Sequence, residues 1–302
     1  MHSSADAPEA MLLNGLNVSE GAPEAERRAC MSLLIDRGLH YGDGLFETIA
    51  CRDGEPQFLD DHLKRLALGC ERLGIELEGR GALIEDLLRL AAGRARSLIK
   101  VLVTRGPATA RGYTPRGDER ATRIVLRYGW PAEDPRSAND GVAVRIADLT
   151  LAENPRLAGL KHLNRLEQVL ARAELRGSGL EEALLLSRSG CLVSGTMSNV
   201  FVVSGSKIAT PQLDRCGVAG VMRRVVMRAA EATGITVEEA RITRQDLDVA
   251  DEVFLTNVRI GIWPVRALGS RELGVGPLTR QLQRLIEPLR TQREGERAGV
   301  GR

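Results

Sequence analysis

The chain holds four lysines, Lys64, Lys100, Lys161 and Lys207, and the rest of its 42 basic residues are arginine. Chemistry that needs an unprotonated amine, such as imine formation or proton shuttling, therefore has four candidates. Lys64 falls on the polar side of an amphipathic helix pattern. Lys207 follows the turn Ser204-Gly205-Ser206, and Lys100 lies in an apolar strand pattern from which it can snorkel. Lys161 differs. It sits in Leu157-Ala158-Gly159-Leu160-Lys161-His162-Leu163-Asn164, between a loop and an apolar helix pattern. Loss of solvation there lowers an amine pKa, which makes Lys161 the candidate; a buried, snorkelling lysine is the alternative reading.

A second pattern suits an anion. Cys216-Gly217-Val218-Ala219-Gly220 opens into a helix pattern from Val218 to Ala232. Unpaired N–H groups and the helix dipole at such a start favour a phosphate dianion. Arg65, in His62-Leu63-Lys64-Arg65-Leu66, is a bidentate phosphate ligand or, alternatively, an ordinary surface arginine. An imine lysine together with a phosphate cradle points to pyridoxal phosphate.

The elements that must position these residues read as mixed α/β. Strand patterns cover residues 11–18, 45–51, 57–59, 97–104, 122–128 and 142–147, then 183–187, 191–193, 200–203 and 252–255. Arg52-Asp53-Gly54-Glu55 is a hairpin signal. Helix patterns cover 60–73, with Asp60 or Asp61 as N-cap and Gly74 as terminator, and 81–94, 163–175, 218–232 and 276–289. The expected organisation is a loose arm over 1–10, an N-terminal α/β domain over 11–130, and a linker over 131–140. A C-terminal domain over 141–290 and a disordered tail over 291–302 follow. Charge is nearly balanced, at +2, which gives no support to a nucleic-acid or membrane-surface protein. The five cysteines lack any CxxC, and His2, His40, His62 and His162 lack metal-ligand spacing, so reduced thiols and no metal site are expected. No apolar run is long enough to span a membrane and the start does not read as a signal peptide, so a cytoplasmic protein is expected.

Several segments resemble the class IV aminotransferase family, the fold type IV pyridoxal phosphate enzymes. They are Arg37-Gly38-Leu39-His40-Tyr41-Gly42-Asp43-Gly44-Leu45-Phe46-Glu47-Thr48, His62–Leu66, Lys161-His162-Leu163-Asn164-Arg165-Leu166-Glu167-Gln168, and Gly217–Gly220. The resemblance runs in order over about residues 11 to 270. It implies a homodimer of two-domain chains, with a smaller N-terminal α/β sandwich, a larger barrel-like C-terminal domain, and pyridoxal 5'-phosphate between them. It implies Lys161 as the Schiff-base lysine and Arg65 and the backbone N–H groups of Val218 and Ala219 on the phosphate. Asn257 and Val258 would close that site from the other side. Lys161–Gln168 and Cys216–Arg223 are most similar to the lyase branch of the family. That branch implies cleavage of 4-amino-4-deoxychorismate to 4-aminobenzoate and pyruvate, a step toward folate.

One position departs from the family pattern. In Cys191-Leu192-Val193-Ser194-Gly195-Thr196-Met197-Ser198-Asn199, Ser194 stands where the family carries the glutamate that protonates the cofactor's ring nitrogen. A serine only hydrogen-bonds there, which weakens the ring as an electron sink and favours elimination over transamination. A shifted alignment or a substitute acid nearby are the alternatives. Arg105 and Arg111, in a Gly- and Pro-containing loop after a strand, are the candidates for the substrate's carboxylates, with Tyr113 beside them as a further substrate residue; a solvated arginine loop is the alternative reading. A D-amino acid or branched-chain aminotransferase, and a non-catalytic pyridoxal phosphate-binding protein, remain the alternative functions.

Overall fold

The computed structural model describes residues 8–14, 16–17, 32–108 and 112–291. Contacts divide the chain into two compact units, one of residues 1–132 with 161–164 and 293–302, the other of 133–160 with 165–292.

The first unit is built on a six-stranded sheet, ordered β2-β1-β6-β5-β3-β4. Its strands are β1 (Pro8–Leu13), β2 (Leu16–Asn17), β3 (Gly44–Arg52), β4 (Glu55–Pro56), β5 (Arg96–Thr104) and β6 (Thr122–Gly129). The helices α1 (Arg37–Tyr41), α2 (Leu59–Leu73) and α3 (Arg80–Ala91) accompany it, and residues 32–34 are also helical. Alternation sets the sheet's inner face: Ile49, Ile99, Val101, Val103 and Val125 are fully or nearly fully buried, as are Leu63 and Leu66 of α2 and Leu83 and Leu87 of α3. The turn at Asp53 and Gly54, both at positive φ, forms a hairpin between β3 and β4 as expected, but the strand expected at 57–59 lies at Glu55–Pro56, because Gln57 and Phe58 turn and Leu59 opens α2.

The second unit carries a nine-stranded sheet, ordered β12-β11-β10-β13-β14-β7-β8-β9, with β15 added on β14. The strands are β7 (Val142–Leu151), β8 (Glu182–Ser187), β9 (Leu192–Gly195), β10 (Asn199–Ser204) and β11 (Lys207–Pro211). They continue with β12 (Val237–Ala240), β13 (Glu252–Asn257), β14 (Gly261–Leu268) and β15 (Arg271–Glu272). Its helices are α4 (Pro135–Asn139), α5 (Leu166–Ala173), α6 (Val221–Glu231), α7 (Arg244–Asp248) and α8 (Pro277–Thr291). One core joins Val144, Leu184, Val200, Val253, Leu255 and Val265 across five strands. Phe201 and Phe254, directly paired on β10 and β13, stack with ring centroids 4.7 Å apart, worth about 1 kcal/mol beyond their burial.

The structure corrects several expectations. Pro8–Ala10 belong to β1 and pair with β6, so they are no loose arm; residues 1–7 and 292–302 lie outside the described residues. The N-cap of α2 is neither Asp60 nor Asp61 but Phe58, at φ 53°, with no side-chain cap; the two aspartates fall in the first turn instead. Gly74, at φ 62°, ends α2 as expected. The helix expected from Leu163 starts at Leu166, because Leu163 donates its N–H to Gly44. The helix expected from Val218 starts at Val221, because Gly159 and Val218 form a parallel bridge that keeps this segment extended. Within the expected linker, Asp134 caps a short helix, α4.

Candidate active site

β3 carries the first part of the site because half of its edge is open. β4 pairs only with Cys51 and Arg52, so Gly44–Phe46 lack a partner on that side. The Lys161 segment fills the gap. Phe46 N–H donates to the Lys161 carbonyl at 2.9 Å, Leu45 and His162 form an antiparallel bridge, and Leu163 N–H reaches Gly44 O at 2.9 Å. Asn164 adds a side-chain bond to Gly42 O at 3.1 Å. The backbone of Lys161 is thus fixed from both sides, and its Nζ lies 4.1 Å from the centre of the Phe46 ring. Lys100 Nζ lies 5.5 Å from the same ring. Sequence reasoning set Lys100 aside as a snorkelling lysine; only cross-strand register, Thr48 opposite Lys100, reveals this proximity.

Glu47, next in β3, is buried with His62 and Arg65 of α2. Arg65 Nε donates to Glu47 Oε1 at 2.7 Å and its NH2 to Oε2 at 2.5 Å, while His62 Nδ1 lies 2.7 Å from Oε2. Burial alone would raise the Glu47 pKa, but the Arg65 charge and hydrogen bonds, with those of His62, hold it at about 2. Burial pushes His62 below its ordinary value, with Arg65 and Lys161 adding to the effect and Glu47 opposing it. The expected phosphate ligand Arg65 is therefore not a surface arginine but one held by a carboxylate along one edge.

The second unit holds the segments expected to cradle an anion. Gly159 N–H donates to Gly217 O at 2.9 Å, and Ala219 N–H to Gly159 O at 3.0 Å. This corrects one expectation: the Ala219 N–H is committed to the chain itself, and the Val218 N–H is the group left without a partner among the described residues. Asn199 Nδ2 holds the Val218 carbonyl at 2.9 Å, and a Cβ on Gly220 would run into the Asn199 side chain. Asn257 shapes the opposite rim. Its Oδ1 accepts the N–H groups of Arg259 and Ile260 at 3.0 Å each, and its Nδ2 donates to Met197 O at 3.1 Å. The Val258 N–H has no partner among the described residues. Open N–H groups beside Gly217 and after Asn257 fit an anion such as a phosphate.

Ser194 is buried in β9, opposite Leu185. The acid near this strand is Glu182, and it is engaged: it accepts from the N–H groups of Ala183 and Thr196 at 3.0 Å each, from Met197 N–H at 3.2 Å, from Ser198 Oγ at 3.0 Å, and from Thr196 Oγ1.

The expected carboxylate ligands fare differently. Arg105 donates to Asp43 Oδ2 at 2.8 Å and Oδ1 at 3.1 Å, and to the carbonyls of Gly74 at 2.6 Å and Leu73 at 2.7 Å. It anchors the end of α2, which leaves its fork filled rather than open to a substrate. The Tyr113 carbonyl accepts from Arg37 at 2.7 Å, and its ring is exposed beside Tyr41. Arg111 lies outside the described residues.

Residues 44–268 match the amino-transferase class IV family, and the chain belongs to that family. Its sequence is 34% identical over 254 residues to the aminodeoxychorismate lyase of Vibrio harveyi, spanning 83% of this chain and 93% of that protein. It is 29% identical over 269 residues to a D-alanine aminotransferase of Bacillus licheniformis, covering 87% of this chain and 93% of that one. Among solved structures it resembles 4-amino-4-deoxychorismate lyase from Pseudomonas aeruginosa, with a TM-score of 0.83, 43% identity, and coverage of 91% of this chain and 97% of that one.

Proposed function

We propose that the protein is a pyridoxal 5'-phosphate-dependent carbon–oxygen lyase that converts 4-amino-4-deoxychorismate to 4-aminobenzoate and pyruvate. The observation that carries this reading is that the Lys161 segment, on the open edge of β3, is joined within two residues to the Gly159–Val218 bridge of the phosphate cradle. The likeness to two lyases of that specificity supports the choice of substrate.

When bound, pyridoxal phosphate supplies a carbonyl for amine exchange and a ring that accepts electron density from the adjacent carbon. Lys161 Nζ would bind it covalently. Arg65 and the N–H groups of Val218 and Val258 would hold its phosphate, with Asn257 setting the rim. Lys161 Nζ would take the proton from the substrate ring carbon that bears nitrogen. The carbon–oxygen bond to the enolpyruvyl group then breaks, and aromatisation drives the step. Lys161 returns the proton to the departing enolate carbon, which leaves as pyruvate. Ser194 would face the ring nitrogen. Since Glu182 is engaged by five donors, we read the nitrogen's partner as a hydroxyl, which favours elimination. Lys100, in place of Arg105, is the cation of the first unit that we assign to a substrate carboxylate.

We further propose a homodimer, a cytoplasmic setting and a role in folate biosynthesis. Leu166, Val169 and Leu170 form an exposed apolar stripe on α5 that suits a subunit contact. The four described cysteines are free, as in a reducing compartment. No helix among the described residues is long and apolar enough to cross a membrane.

The test is turnover of freshly prepared aminodeoxychorismate by the pyridoxal phosphate-loaded protein, followed by 4-aminobenzoate fluorescence. Product from wild type and none from Lys161→Ala is expected. Absence of product from loaded wild type, with amino transfer from D-alanine to a keto acid, would replace the lyase reading with an aminotransferase.

A further inference from the structure

Arg259 lies in the turn between β13 and β14, two residues after Asn257. Its backbone is fixed twice: its N–H donates to Asn257 Oδ1 at 3.0 Å, and its carbonyl accepts from Arg290 NH2 at 2.7 Å. Its guanidinium is not. The side chain is only 20% exposed, yet its nearest acid, Glu133, stands 3.5 Å away without a hydrogen bond. The Trp263 ring centre is 5.5 Å from Cζ. None of its side-chain N–H groups donates to a described residue. Burial disfavours the charge, Arg172 disfavours it further, and Glu133 and Glu182 oppose both.

This contrasts with the other arginines at functional elements. Arg65 is held along one edge by Glu47, and Arg105 is filled by Asp43 and two backbone carbonyls. A largely buried guanidinium whose ion pair carries no hydrogen bond gains when a planar anion takes it in bidentate fashion. The turn also borders the candidate site: Asn257 holds Met197, which follows Ser194 by three residues, and Val258 next to Arg259 offers an open N–H. The two open N–H groups already match a phosphate, whereas the guanidinium matches a carboxylate.

We propose that Arg259 binds a carboxylate of the substrate and so selects dianionic over monoanionic ligands. This inference rests on the lyase reading for the identity of the substrate, but not for the carboxylate itself. Glu133, ion-paired to Arg259 at 3.5 Å with no hydrogen bond between the two, yields its place to the incoming group.

The experiment titrates the pyridoxal phosphate-loaded protein with benzene-1,3-dicarboxylate and with benzoate, reading Trp263 emission, with Trp263→Phe as the signal control. Arg259→Leu is expected to weaken dicarboxylate binding about 10- to 100-fold, with benzoate affected less and cofactor content unchanged. Arg259→Lys, which keeps the charge without the fork, is expected to fall between. In turnover, the leucine variant should raise KM for aminodeoxychorismate by a similar factor and leave kcat within about threefold. Equal dicarboxylate affinity in wild type and the fully loaded leucine variant would overturn the proposal. Failure of the lyase reading shows separately, as absence of 4-aminobenzoate from wild type while the dicarboxylate titration still responds.

Discussion

At the scale of single residues, the Glu47–Arg65–His62 cluster sets how the site responds to acid. Glu47 titrates at about 2 in the folded protein against an ordinary 4.5. The carboxylate therefore stabilises the fold fully above about pH 4.5, and this contribution, on the order of 3 kcal/mol, is lost as pH falls toward 2. His62 acts in the same direction, since its folded pKa lies below 6.5 and protonation in acid opposes the buried state. Thermal melts of Glu47→Gln should show a smaller drop between pH 7 and pH 3 than wild type. At pH 7 the variant should be less stable by about 3–5 kcal/mol, because Arg65 loses its buried counter-ion. An acid profile identical to wild type would show that the pair is not the titrating element. Lys161 stood out as a candidate in the sequence because lysines are scarce and this one sits among apolar residues. Glu47 did not, because its partners come from a different element, and no local spacing records a carboxylate that meets a histidine and an arginine of α2.

At the scale of elements, glycine and arginine fix where helices begin and end around the site. Gly220 lies against Asn199, which in turn holds the Val218 carbonyl. Gly220→Ala should displace that contact and weaken pyridoxal phosphate binding roughly tenfold, a factor worth about 1.4 kcal/mol, as measured by cofactor absorbance during dialysis. An unchanged affinity would separate the Val218 turn from the phosphate site. Arg105 ties the last carbonyls of α2 to Asp43. Arg105→Ala should cost about 2–3 kcal/mol of stability in urea unfolding while leaving KM within a few-fold, the opposite of what a substrate ligand would show. The arginine's loop position in the sequence suited either role. Only the geometry shows that its donors converge on a helix terminus. The same limit explains the late start of α6: periodicity extends the helix back to Val218, whereas the bridge to Gly159 is a contact between distant segments that no local window contains.

At the scale of the whole molecule, the alternation of strand and helix patterns was enough to read a two-part α/β chain and the ordered family motifs within it. The number of strands per sheet was not legible, because β2, β4 and β15 are two residues each and leave no periodic trace. The α5 stripe belongs to this scale as well. Leu166, Val169 and Leu170 are spaced as one helical face and remain exposed in the single chain. If the proposed dimer forms through this face, Leu170→Glu should shift it to monomer in sedimentation velocity, and an unchanged dimer would exclude this face as the contact.

The assignment of residues 161–164 to the first unit also bears on the order in which the protein comes together on the ribosome. Domains generally fold as they emerge, N-terminal first. Here the edge of β3 at Gly44–Phe46 waits for a segment encoded after the second unit has begun. A nascent chain stalled at residue 132 exposes that bare edge, a template for wrong strand pairing, until Lys161 itself arrives to cover it. The residue read as the catalytic amine thus also completes the first unit's fold during synthesis.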